Sequence, residues 1–252
     1  MDDSQKKRYL KVYGERNSGT TYLQSLVQLN LEAVTLPGSA PRRYRRFVRA
    51  NERLIDLYFQ FTFPRNLGWK HRLAPPKNEL QRVAFSPDNV AFLIISKNPY
   101  SWLLSLFRHP YHYQGELTTF EAFLAQTWRT VGREGHPAPF ANPIDMWNAK
   151  HASYLQLAQS ARCFFIRYED LLSDPESVII GLSSVHNIPR RAAGFVNVQT
   201  STKGEADRDF DYYRRRYLEE LWRDELSKEA IAIINRFLDP VVVDAIGYPM
   251  IT

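Results

Sequence analysis

The stretch GERNSGTT at residues 14–21 decides the fold, because it joins a predicted strand directly to a predicted helix. The strand is YLKVY at residues 9–13, and the helix pattern covers residues 20–30. Gly14 and Gly19 lie five positions apart and allow the backbone to curl until successive N–H groups point inward. Because the helix adds its positive N-terminal end, the stretch predicts a cradle for a phosphate group.

Two threonines follow the second glycine of this loop. Loops that hydrolyse ATP or GTP have a lysine at the first of these positions and a serine or threonine at the second, which binds magnesium. Here Thr20 replaces the lysine, whereas Thr21 keeps the hydroxyl. The loop therefore suits a nucleotide with a single 5′-phosphate and no γ-phosphate. The alternative is an ordinary glycine turn between a strand and a helix.

Buried strands alternate with helices along the rest of the sequence. NVAFLIIS at residues 89–96 and RCFFIRY at residues 162–168 are continuous apolar runs, typical of strands buried on both faces. Helices are predicted from Pro99, over residues 143–160, over residues 174–185 and over residues 211–245. The alternation predicts one α/β domain over residues 1–252, a three-layer P-loop-like fold whose helices flank a central parallel sheet.

The composition excludes several classes of protein. The 252 residues are 44% hydrophobic and 13% aromatic, which supplies a sizeable core and argues against disorder. Cys163 is the single cysteine, so an internal disulfide and a cysteine-rich zinc site are excluded, and no metal site is expected. The sequence shows no apolar signal segment and no run of about 18 apolar residues. We therefore expect a soluble cytoplasmic protein without a transmembrane segment.

The positive charge is concentrated in one segment. The net charge is +6, and the arginines of the cluster are Arg42, Arg43, Arg45, Arg46 and Arg49. An amphipathic helix pattern follows at residues 52–58. The cluster could attract phosphate, sulfate, an acidic glycan, nucleic acid or an anionic membrane surface, or it could be a solvated helix face. No nucleic-acid-binding motif is present, so no nucleic-acid partner is expected.

Three segments share their order and context with a known family. SGTTY at residues 18–22 follows a strand, Lys97 ends a buried strand with Ser105 eight positions later, and YEDLLSDP at residues 168–175 joins a strand to a helix. In these segments the chain resembles the sulfotransferases that use 3′-phosphoadenosine 5′-phosphosulfate (PAPS). The resemblance spans residues 9–185.

The resemblance implies sulfuryl transfer from PAPS to an acceptor hydroxyl or amine, which leaves 3′-phosphoadenosine 5′-phosphate (PAP) and needs no metal. It assigns Lys97 and Ser105 to the 3′-phosphate. It assigns the 5′-phosphosulfate to the loop residues Arg16, Asn17, Ser18, Gly19, Thr20, Thr21 and Tyr22. Tyr22 and Tyr168 could stack on adenine or belong to the core. Lys203, in TSTKG at residues 200–204, is either a further cofactor contact or part of a surface loop.

The sequence departs from the family pattern at two positions. Asn17 stands where cytosolic members carry a catalytic lysine, and Arg16 could supply the missing charge. Lys97 stands where arginine is commoner. Lysine still pairs with a phosphate, although as a point charge rather than a bidentate fork.

GWKHR at residues 68–72 resembles the family's Lys-Thr-His segment, with the histidine one position closer to the lysine. The resemblance implies that His71 is the general base and that Lys70 is the cation beside the transferring group. Glu15, inside the loop, is the rival base, or it forms a structural ion pair with Arg16 or Lys70. His109 and His112 are expected on the acceptor side or at the surface.

Residues 41–62 and 110–143 lie where the family places variable acceptor-binding elements. Trp128, Phe140 and Trp147 would suit a sugar ring or an aromatic acceptor. The acceptor could be a small molecule, a glycan or a lipid headgroup, including an anionic one. The alternatives are a kinase-like phosphotransferase with a P-loop and a non-catalytic nucleotide- or anion-binding protein. The oligomeric state is not predicted.

Overall fold

Four parallel strands form the central sheet of the computed structural model, which describes residues 8–84, 89–112, 118–200 and 208–252. The strands are β1 (Tyr9–Tyr13), β2 (Val34–Thr35), β3 (Val90–Ser96) and β4 (Cys163–Arg167). Their spatial order is β2-β1-β3-β4. The predicted parallel sheet is confirmed.

The register brings the carboxyl ends of three strands together. β1 pairs with β3 from Tyr9 opposite Val90 onwards, and β3 pairs with β4 up to Ser96 opposite Arg167. Since all three strands are parallel, the segments that follow them meet at one edge of the sheet. Those segments are the glycine loop, the Lys97 turn and the Tyr168 helix, so the fold gathers the three sequence motifs.

Helices cover the sheet on both faces. They are α1 (Thr20–Asn30), α2 (Arg42–Phe47), α3 (Glu52–Asn66), α4 (Lys77–Leu80), α5 (Pro99–Arg108), α6 (Phe120–Leu124), α7 (Pro143–Ala158), α8 (Tyr168–Ser173), α9 (Pro175–His186), α10 (Phe210–Leu218), α11 (Lys228–Phe237) and α12 (Pro240–Ile246). All seven residues of β3 are buried, as its uninterrupted apolar sequence predicts.

Alternate side chains of β3 enter two hydrophobic clusters, because successive residues of a strand point to opposite faces. Leu93 and Ile95 join the cluster that contains buried residues of α1, α5 and α8. Phe92 and Ile94 join the cluster that contains Tyr154 of α7. The predicted three-layer α/β fold is therefore confirmed.

Several element boundaries differ from the prediction. The helical stretch predicted at residues 211–245 is three helices, because Ser227 and Asp239 cap two new helix starts with their side chains. α3 extends to Asn66, beyond the predicted residues 52–58. β2 was not predicted, since a strand of two residues shows no periodic pattern.

Candidate functional site

A cleft of about 260 Å³ lies at the edge of the sheet where β1, β3 and β4 end. Nine residues singled out in the sequence line it: Arg16, Asn17, Gly19, Thr20, Thr21, Tyr22, His71, Lys97 and Tyr168. Its other lining residues, which sequence reasoning missed, are Leu172, Val198, Thr200, Phe210, Tyr213 and Tyr217. The described lining contains cations and aromatic rings but no carboxylate.

The glycine loop approaches the neighbouring backbone and side chains closely. Gly19 has a φ of 84°, and a Cβ at this position would lie 2.5 Å from the ring of Tyr168. Asn17 also has a left-handed conformation, with a φ of 65°. Gly19 is the N-cap of α1 and forms no side-chain capping hydrogen bond, so the first-turn amides of α1 are free to bind an anion.

The loop also contains polar atoms without partners. Ser18 is buried, and its Oγ has no hydrogen-bond partner among the described residues. Nε of Arg16 is likewise buried without a partner in the described part of the chain. Buried polar groups normally have partners, so unpaired ones at a candidate anion site fit a missing ligand.

Arg16 is held between two aromatic rings. Its guanidinium carbon lies 4.9 Å from the ring centre of Trp69 and 4.3 Å from that of Tyr111. Arg16 Nη2 lies 3.3 Å from His112 Nε2. Burial and the charge of Arg16 lower the pKa of His112 to about 4, so His112 is neutral at pH 7. His112 therefore orients Arg16 rather than adding a charge.

Lys97 is buried at the carboxyl end of β3. Its Nζ donates to Ser105 Oγ over 2.8 Å and to the Tyr217 hydroxyl over 2.5 Å. Burial lowers the pKa of Lys97 although Tyr217 raises it. Burial also tends to raise the pKa of Tyr217, but the charge and hydrogen bond of Lys97, together with Ser105 and Arg216, outweigh this effect and lower the pKa to about 8. The structure thus brings Lys97 and Ser105 together and adds a third polar partner.

Tyrosines of α10 form an aromatic wall above Lys97. Tyr213 and Tyr217 are stacked with ring centres 6.4 Å apart, and Tyr168 meets Tyr217 edge-on at 5.2 Å. Phe210 packs against Tyr22, with 6.1 Å between ring centres. The sequence signal for this wall was the spacing of residues 210, 213 and 217, which places three rings on one side of a helix.

Lys70 and His71 contact the loop from a different segment. Lys70 Nζ donates to Thr21 Oγ1 over 3.0 Å, and burial together with the charge of Arg16 lowers the pKa of Lys70 to about 8. His71 Nδ1 lies 2.6 Å from the carbonyl oxygen of Gly14. A carbonyl only accepts, so Nδ1 carries the proton and Nε2 is free to accept one. Burial and the charge of Lys70 hold the pKa of His71 well below its usual value.

Glu15 belongs to the loop, but its side chain does not line the cleft. Its side chain is fully buried, accepts a hydrogen bond from the Tyr111 hydroxyl over 2.7 Å, and lies 2.7 Å from Lys150 Nζ. The expected ion pair with Arg16 or Lys70 is therefore wrong, because the partner is Lys150. A carboxylate held in this way cannot reach an acceptor in the cleft, so we assign Glu15 a structural role.

Lys150 of α7 connects three segments around the cleft. Its ammonium lies 2.6 Å from Glu134 Oε2 and also donates to the backbone carbonyl of His71. Lys150, Glu15 and Glu134 have no exposed side-chain surface. Burial tends to lower the pKa of Lys150, but the two carboxylates raise it, so Lys150 is charged. Sequence reasoning missed Lys150, although a lysine within a predicted buried helix was a signal.

Other expected residues lie elsewhere. Trp128, Phe140 and Trp147 belong to the hydrophobic core with at most 1% exposure, so their expected contact with a sugar or aromatic acceptor is wrong. Lys203 lies outside the described residues. His109 is exposed. Within the described ranges, no group of side chains suited to a metal ion is found, and no helix is long and apolar enough to cross a membrane.

Replacing Lys150 tests the buried network. Lys150→Met leaves Glu15 and Glu134 buried without a counter-charge, which we expect to lower the free energy of unfolding by about 3–5 kcal/mol. Burial already raises the pKa of Glu134 to about 7 although Lys150 lowers it, and loss of Lys150 raises it further, so the deficit grows as the pH rises through about 7. Thermal melts at pH 5 and pH 8 measure it. The exposed Lys228→Met is the control, and a Lys150→Met melt equal to wild type at both pH values contradicts the assignment.

The likeness of this chain to known proteins lies in its structure. No protein-family model and no curated protein matches the sequence. The sulfotransferase domain from the curacin biosynthetic pathway is similar at 14% identity and a TM-score of 0.48, covering 98% of this chain and 99% of that one. A mouse sulfotransferase complexed with PAP is similar at 11% identity and a TM-score of 0.40, covering 96% and 83%.

A sulfotransferase from Alicyclobacillus acidocaldarius is also similar, at 14% identity and a TM-score of 0.42, with 94% of this chain and 98% of that one covered. These similarities extend over most of the chain. Each of these three solved structures is of a sulfotransferase or of a sulfotransferase domain.

Proposed function

We propose that the protein is a sulfotransferase that moves a sulfuryl group from PAPS to an acceptor hydroxyl or amine. The observation that carries the proposal is that the glycine loop, the buried Lys97 and His71 line one cleft, with Lys70 beside it and bonded to Thr21 of the loop. We assign each of these groups to one part of PAPS, which carries a 5′-phosphosulfate and a 3′-phosphate.

The 5′-phosphosulfate fits the loop. The uncapped start of α1 and the unpartnered Oγ of Ser18 provide hydrogen-bond donors, and Arg16 adds a positive charge. The 3′-phosphate fits Lys97 and Ser105, which already share a hydrogen bond. The aromatic wall of α10 lies between these contacts and Tyr168, where a purine ring could stack.

In the transfer, the acceptor oxygen forms a bond to sulfur while the bond between sulfur and the 5′-phosphate oxygen breaks in line. The acceptor proton passes to Nε2 of His71, which is unprotonated at pH 7 because burial lowers the pKa of His71. Lys70 and Arg16 stabilise the negative charge that develops on the leaving phosphate. Release of PAP and of the proton completes the cycle.

Calorimetric titration with PAP, in the absence of magnesium, tests the proposed nucleotide site. We expect tight binding of PAP and much weaker binding of 5′-AMP, because Lys97 and Ser105 would have no 3′-phosphate to contact. Lys97→Ala should weaken PAP binding by about 1.5–3 kcal/mol, or roughly 10- to 150-fold. Lys228→Ala, an exposed lysine on α11, is the matched control.

A preference for magnesium-ATP over PAP would instead favour the kinase-like alternative. PAP affinity that is unchanged in both Lys97→Ala and Ser105→Ala would contradict the 3′-phosphate assignment.

The role of His71 is tested separately from nucleotide binding. His71→Asn should lower turnover by about 10²–10⁴-fold, because the acceptor loses its base, while PAP affinity stays within a factor of about two. Transfer from radiolabelled PAPS to the best acceptor in a panel of phenols, sugars and lipids measures turnover. His136→Asn, at a histidine that does not line the cleft, is the control and should keep wild-type turnover. Full activity in His71→Asn would exclude His71 as the base.

Lys70 should set an alkaline limit on donor binding. Because its pKa in the ligand-free protein is lowered to about 8, the ammonium that attracts the donor is present below pH 8 and is lost above it. We therefore expect kcat/KM for PAPS to fall as the pH rises through about 8. Lys70→Arg keeps the charge and should move this fall to higher pH. Lys70→Met should have a low kcat/KM for PAPS at every pH, without a fall near pH 8. An unchanged profile in Lys70→Met would contradict the assignment.

A further inference from the structure

The hairpin of α2 and α3 carries a concentrated positive charge that the cleft does not use. Residues 36–66 contain seven arginines and two acidic residues. The arginines of α2 and of the turn after it are all exposed: Arg42, Arg43, Arg45, Arg46 and Arg49. None of the five forms an ion pair with another residue of the described ranges.

The two acidic residues of this hairpin do not neutralise the arginine cluster. Arg133 Nη1 lies 2.6 Å from Glu52 Oε2 and 2.8 Å from Asp56 Oδ1. Both carboxylates therefore form ion pairs with Arg133, which lies outside the hairpin. The arginine cluster of α2 keeps its full positive charge at the surface.

The same hairpin exposes an apolar stripe. Leu54, Leu57 and Phe61 occupy positions i, i+3 and i+7 of α3 and are 40%, 44% and 79% exposed. Phe47, at the end of α2, is 85% exposed. α3 therefore has apolar residues on two sides, because Ile55 is buried against the body of the protein. The inner side packs, whereas the outer side has no covering residue among those described.

We propose that the α2–α3 hairpin is a docking surface for an anionic phospholipid bilayer. Arginines adjoining exposed phenylalanine and leucine side chains are the pattern of helices that lie in a membrane interface, where the apolar groups enter the lipid and the cations meet the headgroups. A second copy of this chain would present the same positive charge and be repelled. Nucleic acid would use the arginines but not the apolar stripe.

The hairpin is attached to the cleft through Trp69. Ile55 and Phe59 of α3 pack with Trp69 in one cluster. The other side of Trp69 meets Arg16 at 4.9 Å and the ring of His71 at 4.9 Å. Membrane docking would therefore bring the candidate site to the bilayer surface. The docking proposal itself does not depend on the proposed transfer reaction.

Vesicle sedimentation with the full chain tests this surface. The probes are phosphatidylcholine vesicles and vesicles in which about a third of the lipid is phosphatidylserine. We expect binding only to the anionic vesicles, with a decrease as salt is added. Replacing Arg42, Arg43, Arg45 and Arg46 together by Gln should weaken partitioning roughly 10³-fold.

Two matched variants distinguish a docking surface from a general effect of charge. Replacing the exposed Arg190, Arg214, Lys228 and Arg236 by Gln removes the same charge elsewhere and should reduce binding far less. Phe47→Ser with Phe61→Ser keeps the charge and should weaken binding roughly tenfold, because the apolar contact is lost. Circular dichroism melts confirm that each variant is folded.

Three results would overturn the proposal. The first is the absence of wild-type binding to anionic vesicles at low salt. The second is an equal loss in the two sets of four charge substitutions. The third is unchanged binding in the Phe47 and Phe61 variant together with full competition by single-stranded RNA, which would make the patch a polyanion site.

Discussion

One buried ammonium group holds the candidate site together. Lys150 bonds to Glu15 of the glycine loop, to Glu134, and to the backbone of His71, so three segments distant in sequence share a single cation. Burying charges is costly unless they are paired, which makes the three groups interdependent. The network pairs the carboxylate of Glu15 with Lys150 on the side of the loop away from the cleft, so the described cleft lining contains no carboxylate. It also explains why the acidic residue of the loop is not available for chemistry.

The charges that line the cleft suit an anionic ligand. Its described lining has Arg16, Lys97 and His71 but no carboxylate, and the pKa values of Lys97 and His71 are lowered because both are buried. Arg16 and Lys97 therefore have no carboxylate partner in this lining, whereas His71 is neutral. A ligand with phosphate or sulfate groups would offset the free-energy cost of burying these cations and would form strong hydrogen bonds with them. Lys70 lies just beside this lining, and burial lowers its pKa as well.

The arginines of the α2–α3 hairpin differ from the cations of the cleft in their surroundings. Its arginines are exposed to solvent, whereas Arg16 and Lys97 each lie against aromatic rings. Fixed cations select a ligand of defined shape, and a solvated cluster beside apolar side chains suits an extended surface. Trp69 lies between the two regions and contacts residues of both.

The sequence by itself determined the parallel α/β arrangement and the glycine loop, because both depend on periodicity or spacing along the chain. The resemblance of its motifs singled out Lys97 and Ser105, and the structure shows that they share a hydrogen bond. The tertiary structure decided the rest of the site. The partner of Glu15 comes from a helix more than a hundred residues away, and the tyrosines of α10 reach Lys97 only after the chain has folded back. Such contacts depend on strand register and helix packing, which local patterns do not encode. For the same reason, Trp128, Phe140 and Trp147 looked like acceptor contacts in the sequence and are core residues in the fold.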